Sequence, residues 1–310
     1  MGENTPEDRR LVPAIRCEHL GKRYGRITAL RDLSLDVQPG EIFGFLGLNG
    51  AGKTTTIRIL LDLVRPSTGR AAVFGADCQR QSLDVRARVG YLPGEPGFYG
   101  DMTGEGTLDL LGRLGGAPVD AAWRGSLLDR LELAAADLRR RTREYSTGMK
   151  RKLGLVSAFQ GDPPLLVLDE PTEGLDPLMQ EVFYDLAAEM RRRGRTIFMS
   201  SHVLPEVERV CDRIALLRGG ELVLVAPVQD VRSLAGRRVR VSFHADVAAP
   251  VFPADCEVLD VQPRLWDVRV RGAIGPIVAL MASLPVADLD VQMPHLEEIL
   301  RTYYATGRPS

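Results

Sequence analysis

The segment Gly47-Leu48-Asn49-Gly50-Ala51-Gly52-Lys53-Thr54 constrains this chain more than any other stretch. It follows Ile42-Phe43-Gly44-Phe45-Leu46, an apolar run that reads as a buried strand, and leads into Lys53 to Val64, a helical stretch closed by Pro66. The spacing G-x-x-x-x-G-K-S/T between a strand and a helix is that of a phosphate-binding loop. Glycines let the backbone curl so that successive N–H groups converge on one anion, and the helix N-terminus adds a favourable dipole. Lys53, one of only four lysines in the chain, is expected at the β- and γ-phosphates of ATP. The Thr54 hydroxyl is expected on Mg²⁺, and Thr55 completes the nucleotide-binding run.

The rest of the chain alternates strands and helices, which predicts an α/β fold. Residues 1–13 read as a disordered leader, and Ala14 to Tyr24 and Leu33 to Gly47 as short strands. A mostly helical section from about Gly104 to Gln160 precedes two buried strands, Leu165-Leu166-Val167-Leu168 and Thr196-Ile197-Phe198-Met199. Arg213 to Ala226 reads as a hairpin turning at Gly219-Gly220. Beyond Pro227 the pattern changes. Strand-like stretches at Arg237 to Phe243, Trp266 to Val270 and Asp288 to Gln292, with helices from Pro276 and His295, predict a small α+β domain over 228–310. The main domain is then 14–227.

Asp169 and Glu170 follow the buried strand Leu165 to Leu168, where α/β sheets present ligand-binding groups. Asp169 is expected to hold the metal. Glu170 is suited to position and deprotonate an attacking water. Two acids capping a turn before Pro171 is the structural alternative, which the phosphate-binding loop disfavours.

Between these two motifs lies Tyr145-Ser146-Thr147-Gly148-Met149, which resembles the signature sequence of the ABC ATPases, usually Leu-Ser-Gly-Gly-Gln. The resemblance extends to Gly174-Leu175-Asp176, similar to that family's D-loop, and to Ser200-Ser201-His202, similar to its switch histidine. Tyr24 resembles the aromatic residue on which the adenine ring stacks. The resemblance implies a P-loop NTPase of the ABC type: a parallel core sheet, an antiparallel β subdomain and a helical subdomain. It further implies that His202 contacts the γ-phosphate, that Asp176 belongs to the nucleotide site, and that Ser146 and Gly148 donate to the γ-phosphate bound by a second subunit. Two nucleotides would then be sandwiched in a two-fold pair, a homodimer or a pairing with a similar ATPase subunit.

The chain departs from that pattern in places. Thr147 and Met149 replace a glycine and a glutamine of the signature. Where the family has a glutamine after Gly90-Tyr91-Leu92-Pro93, this chain has Gly94. A water is the favoured substitute for its side chain, Glu95 another, and a backbone of positive φ a third explanation for glycine there.

Composition bounds the partners. With 45% hydrophobic and 26% charged residues and a formal net charge of -1, the chain has no global field favouring nucleic acid, and none is expected as a partner. The runs Arg139-Arg140-Arg141 with Arg143, and Arg191-Arg192-Arg193 with Arg195, lack interleaved aromatics and read as solvated helix ends. Cys17, Cys78, Cys211 and Cys256 form no Cys-x-x-Cys pair, which fits a reducing cytoplasm. No apolar run approaches the roughly 18 to 20 residues that span a bilayer. The resemblance therefore implies an ATPase peripheral on the inner face of the membrane, driving a separately encoded membrane-spanning permease. A nucleotide-binding regulator with little turnover, or a non-transport ABC ATPase, is the alternative. The ending Met293-Pro294-His295-Leu296-Glu297-Glu298-Ile299-Leu300 is similar to drug-export ATPases of the daunorubicin-resistance type, which implies export of hydrophobic small molecules.

Overall fold

The computed structural model describes residues 12–115, 118–234 and 236–292. The chain divides into two compact units between Val225 and Ala226. In the first unit, β1 (Ile15–Tyr24), β2 (Ile27–Val37), β3 (Ile42–Leu46), α1 (Lys53–Leu60), β4 (Thr68–Val73), β5 (Ala76–Asp77), α2 (Ser82–Arg86) and β6 (Val89–Leu92) come first. There follow α3 (Gly104–Leu114), α4 (Ala121–Arg130), α5 (Ala135–Leu138) and α6 (Thr147–Phe159), then β7 (Leu165–Asp169), α7 (Pro177–Arg192), β8 (Thr196–Ser201), α8 (Leu204–Val210), β9 (Arg213–Arg218) and β10 (Glu221–Pro227).

Two sheets carry this unit. An antiparallel one runs β2-β1-β4-β5, and a six-stranded one runs β10-β9-β3-β8-β7-β6. In the second, β9, β3, β8, β7 and β6 are parallel neighbours. Residues of β3, β7 and β8 are fully buried, as their unbroken apolar runs require. One continuous core joins the sheets, with Ile15, Leu33 and Val73 of the first packed with Phe43, Phe45, Val167 and Phe198 of the second. The Phe43 and Phe198 rings stack with centroids 6.0 Å apart. The helices α3 to α6 start at Thr103, Asp120 and Ser146, whose side-chain oxygens accept backbone N–H groups, although the short α5 lacks such a cap.

Several predicted boundaries are corrected. The stretch Leu33 to Gly47 is two strands in two different sheets. Pro39 cannot donate to a ladder, and Gly40 turns the chain at φ 79, so β2 ends at Val37 and β3 starts afresh. The first helix ends at Leu60 rather than Val64, because Asp62 takes a left-handed φ of 54 and its N–H bonds Ile59 O. Pro13 is buried, whereas residues 1–11 of the expected leader lie outside the described residues.

The second unit holds α9 (Val228–Leu234), β11 (Arg237–Phe243), β12 (Cys256–Gln262), β13 (Leu265–Val270), α10 (Gly275–Met281) and β14 (Val286–Gln292). Its sheet runs β12-β13-β11-β14. Val239, Val241, Phe243, Trp266, Val268 and Val270 form its core with Ile277 and Met281 of α10. The helix expected from His295 lies outside the described residues.

Candidate active site

The strand order brings the chemistry together. The parallel strands β3, β8, β7 and β6 are consecutive neighbours, so the loop after Leu46, His202 after Ser201, Glu170 after Asp169, and Gly94 after Leu92 all leave one edge of the sheet. A cleft of about 760 Å³ opens there, lined by Leu48, Asn49, Gly50, Gly52, Lys53, Thr54 and Thr55 on one side and by Gly94, Glu95, Asp169 and Glu170 on the other. Gly47 and Ala51 lie behind this lining. Ala51 is buried, and a Cβ on Gly47 would meet Leu217 O at 2.6 Å. Gly52 has φ 113, and a Cβ there would meet Ala29 O at 2.6 Å, so the turn into α1 admits no side chain.

Lys53 is 6% exposed. Its Nζ donates to Gly47 O at 2.6 Å and stands 3.1 Å from Glu170 Oε1. The Thr54 hydroxyl donates to Asp169 Oδ2 at 2.9 Å. Asp169 is itself buried, and its Oδ1 accepts from Ser200 Oγ. Ser200 Oγ also accepts the Glu170 N–H at 3.1 Å, which leaves its own proton free for Asp169. Sequence reasoning assigned Ser200 no task, since its contact depends on β8 lying beside β7 with Ser200 opposite Asp169.

Glu170 has φ 50, a left-handed conformation that is uncommon for a residue with a side chain. Its Oε2 pairs with Nδ1 of the half-exposed His202 at 2.9 Å. Tyr24 lines the same cleft, 42% exposed. Gly94 does not have positive φ, which removes the backbone explanation for glycine there. A Cβ at Gly94 would lie 3.5 Å from Asp169 Oδ2, an ordinary contact.

Besides Gly47 and Ala51, four expected residues do not line the cleft: His202, Ser146, Gly148 and Asp176. Ser146 is the N-cap of α6, its Oγ accepting from Met149 N at 3.2 Å. Gly148 sits where a Cβ would be 3.3 Å from Gly174 O. Asp176 caps α7 by accepting from Met179 N at 3.0 Å, which gives it a structural task in this chain. Residues that sequence reasoning passed over include Arg58, Tyr91 and Glu173 in the lining, and Arg151 behind it. Burial raises the Tyr91 hydroxyl above its ordinary pKa, with Asp169 adding to the shift.

The donor set facing Lys53 consists of hydroxyl and carboxylate oxygens, the chemistry of a hard cation. Among the described residues no group of three or more His, Cys, Asp and Glu could hold a metal, and Thr54 and Asp169 offer the hydroxyl and carboxylate oxygens that suit a hard cation.

A glycine-rich loop opening a helix, facing an acid pair across a parallel sheet edge, defines a P-loop nucleotide-hydrolysing domain. The family model for ABC transporters matches residues 30–173. A daunorubicin resistance ATP-binding protein of Streptomyces coeruleorubidus is 33% identical over 298 residues, 92% of this chain and 94% of that one. An uncharacterized ABC transporter ATP-binding protein of a Nostoc species is 41% identical over 201 residues, 64% of this chain and 59% of that protein's length. Among solved structures, an ATP-binding subunit of an ABC transporter matches with TM-score 0.66 at 31% identity, covering 71% of this chain and 92% of that one. The chain belongs to the ABC transporter family, as an ATP-binding subunit that hydrolyses ATP.

Proposed function

We propose that this chain is the motor of an exporter of hydrophobic small molecules, working as a two-fold dimer on the inner face of the membrane with a separately encoded permease. The observation that carries the ATPase chemistry is the convergence of Lys53, Thr54, Asp169 and Glu170 at one sheet edge. The exporter reading rests on the near full-length likeness to the daunorubicin resistance protein. Among the described residues, no helix is long and apolar enough to cross a membrane, which supports a separate spanning chain.

In this reading the loop N–H groups and Lys53 hold the β- and γ-phosphates, and Tyr24 stacks on the adenine. Glu170 accepts a proton from the water whose oxygen attacks the γ-phosphorus, while the bond to the β-phosphate oxygen breaks and ADP leaves. Mg²⁺, held by Thr54 and Asp169, would neutralise charge on the phosphate oxygens. His202 reports the γ-phosphate, and Ser146 and Gly148 of one subunit complete the phosphate site of the other. The test is phosphate release from ATP by the purified protein, with and without Mg²⁺, followed by copurification of a membrane protein from the native host. Release that ignores Mg²⁺, or an ATPase that copurifies with no spanning protein, overturns the corresponding half.

Gly94→Gln is expected to change turnover less than about threefold, under about 0.7 kcal/mol in the barrier, because a bridging water is nearly as good as the new side chain. Its melting temperature is expected to stay unchanged, since neither φ nor space opposes a Cβ. A rise of tenfold or more in turnover would show that the missing glutamine limits the chemistry.

The second unit is assigned a regulatory or dimer-holding task. Among the described residues, those lining the cleft lie between Tyr24 and Glu173, and a chain ending at Pro227 is expected to bind a fluorescent ATP analogue as the full chain does. Loss of binding in a truncated chain that keeps its circular dichroism would place the second unit in the site.

A further inference from the structure

The buried cation Arg151 has no part in the chemistry described so far. It lies on α6, five residues beyond the N-cap Ser146, with its side chain 4% exposed. The carboxylate oxygen Glu173 Oε2 stands 3.9 Å from its Nη2. Three of its N–H groups go instead to backbone carbonyls: Nε to Glu173 O at 2.9 Å, Nη1 to Pro93 O at 3.2 Å and Nη2 to Gly94 O at 2.5 Å. Burial depresses its pKa, opposed by the field of Glu173, Asp169, Glu170 and Glu95.

These carbonyls belong to the two loops that flank Asp169. On one side, Gly94 lies between the guanidinium and the metal acid, since its Cβ direction points to Asp169 Oδ2 at 3.5 Å. On the other, Glu173 ends the turn begun by Glu170, closed by Glu173 N donating to Glu170 O at 3.2 Å. Glu170 holds a left-handed φ, and such strain persists only where surrounding contacts over-determine the backbone. Helix α6 is seated closely on the same strand and loop. A Cβ on Gly154 would meet Leu92 Cδ1 at 2.6 Å, and one on Gly90 would meet Ala158 O at 2.1 Å.

We propose that Arg151 is a positioning residue for ATP hydrolysis: its guanidinium clamps the 93–94 loop and the 170–173 turn to α6, so that the placement of α6 sets the geometry of Asp169 and Glu170. The planar guanidinium reaches three carbonyls on two loops from three separate nitrogens, whereas a lysine offers its donors from a single one. The phosphate-binding loop and α1 make none of these three contacts, so hydrolysis is expected to depend on the clamp more than nucleotide binding does. The inference rests on the reading that Asp169 and Glu170 serve the metal and the water.

The experiment measures kcat, KM for ATP, fluorescent ATP-analogue affinity and melting temperature for the full chain and its Arg151→Met and Arg151→Lys variants. Arg151→Met is expected to lower kcat at least tenfold while analogue affinity stays within about threefold, and Arg151→Lys to recover at least threefold of the lost rate. A kcat for Arg151→Met within threefold of the parent overturns the proposal. So does a joint fall of kcat and affinity, which marks a scaffold role alone. If Arg151→Met does not fold, Arg151→Lys decides: a threefold or greater loss of kcat at unchanged affinity and melting supports the clamp, and an unchanged kcat overturns it. A parent chain that releases no phosphate from ATP overturns the functional reading and this inference together.

Discussion

Glu170→Gln is expected to keep ATP binding and lose nearly all turnover, at least a hundredfold, the usual weight of a general base. Glutamine preserves the shape of the side chain at φ 50 and can still accept from Lys53 Nζ, which now stands 3.1 Å from Oε1. It lacks the basicity that takes the proton from water. Because the carboxylate competes with phosphate for Lys53, removing its charge is not expected to weaken ATP binding. The ATP-bound pair of subunits should therefore accumulate, visible as a dimer in size-exclusion chromatography with Mg-ATP. Phosphate release within a factor of a few of the parent would mean that another group serves as base.

Lys53→Ala is expected to weaken nucleotide affinity by about a hundredfold or more. A charge-assisted hydrogen bond contributes about 1.5–3 kcal/mol, and Lys53 is proposed to make such bonds to both terminal phosphates. The substitution also removes the buried cation paired with Glu170, whose side chain is 15% exposed, and leaves His202 beside a carboxylate that faces the incoming anion. Titration with a fluorescent ATP analogue reads the effect directly. Unchanged affinity would show that the loop does not hold phosphate in the manner described.

Elements whose signal is local were legible in the sequence. The loop between β3 and α1, the apolar β7 ending in Asp169, the β9–β10 hairpin at Gly219-Gly220 and the start of α10 at Pro276 each show in a few contiguous residues. Strands with weak alternation were not legible. β4, Thr68–Val73, buries only Ala71 and Val73 and carries Gly69 at φ 74, and β12 is an edge strand with most of its residues exposed. Neither gives the period-two pattern that marks a half-buried strand.

By itself the sequence determined the glycine-rich loop between β3 and α1, because the glycines, the lysine and the helix that build it lie within a dozen residues and need no distant partner. The ordered motifs determined the family in the same way. Tertiary structure alone decided how Asp169 and Glu170 are held. Ser200 reaches Asp169 only because β8 enters the sheet between β3 and β7, and Arg151 reaches Pro93, Gly94 and Glu173 only because α6 packs on β6. Such contacts join residues far apart in the chain, and they follow from strand order and from the face a helix buries. A serine two residues before a histidine and an arginine on a basic helix carry no local mark of either.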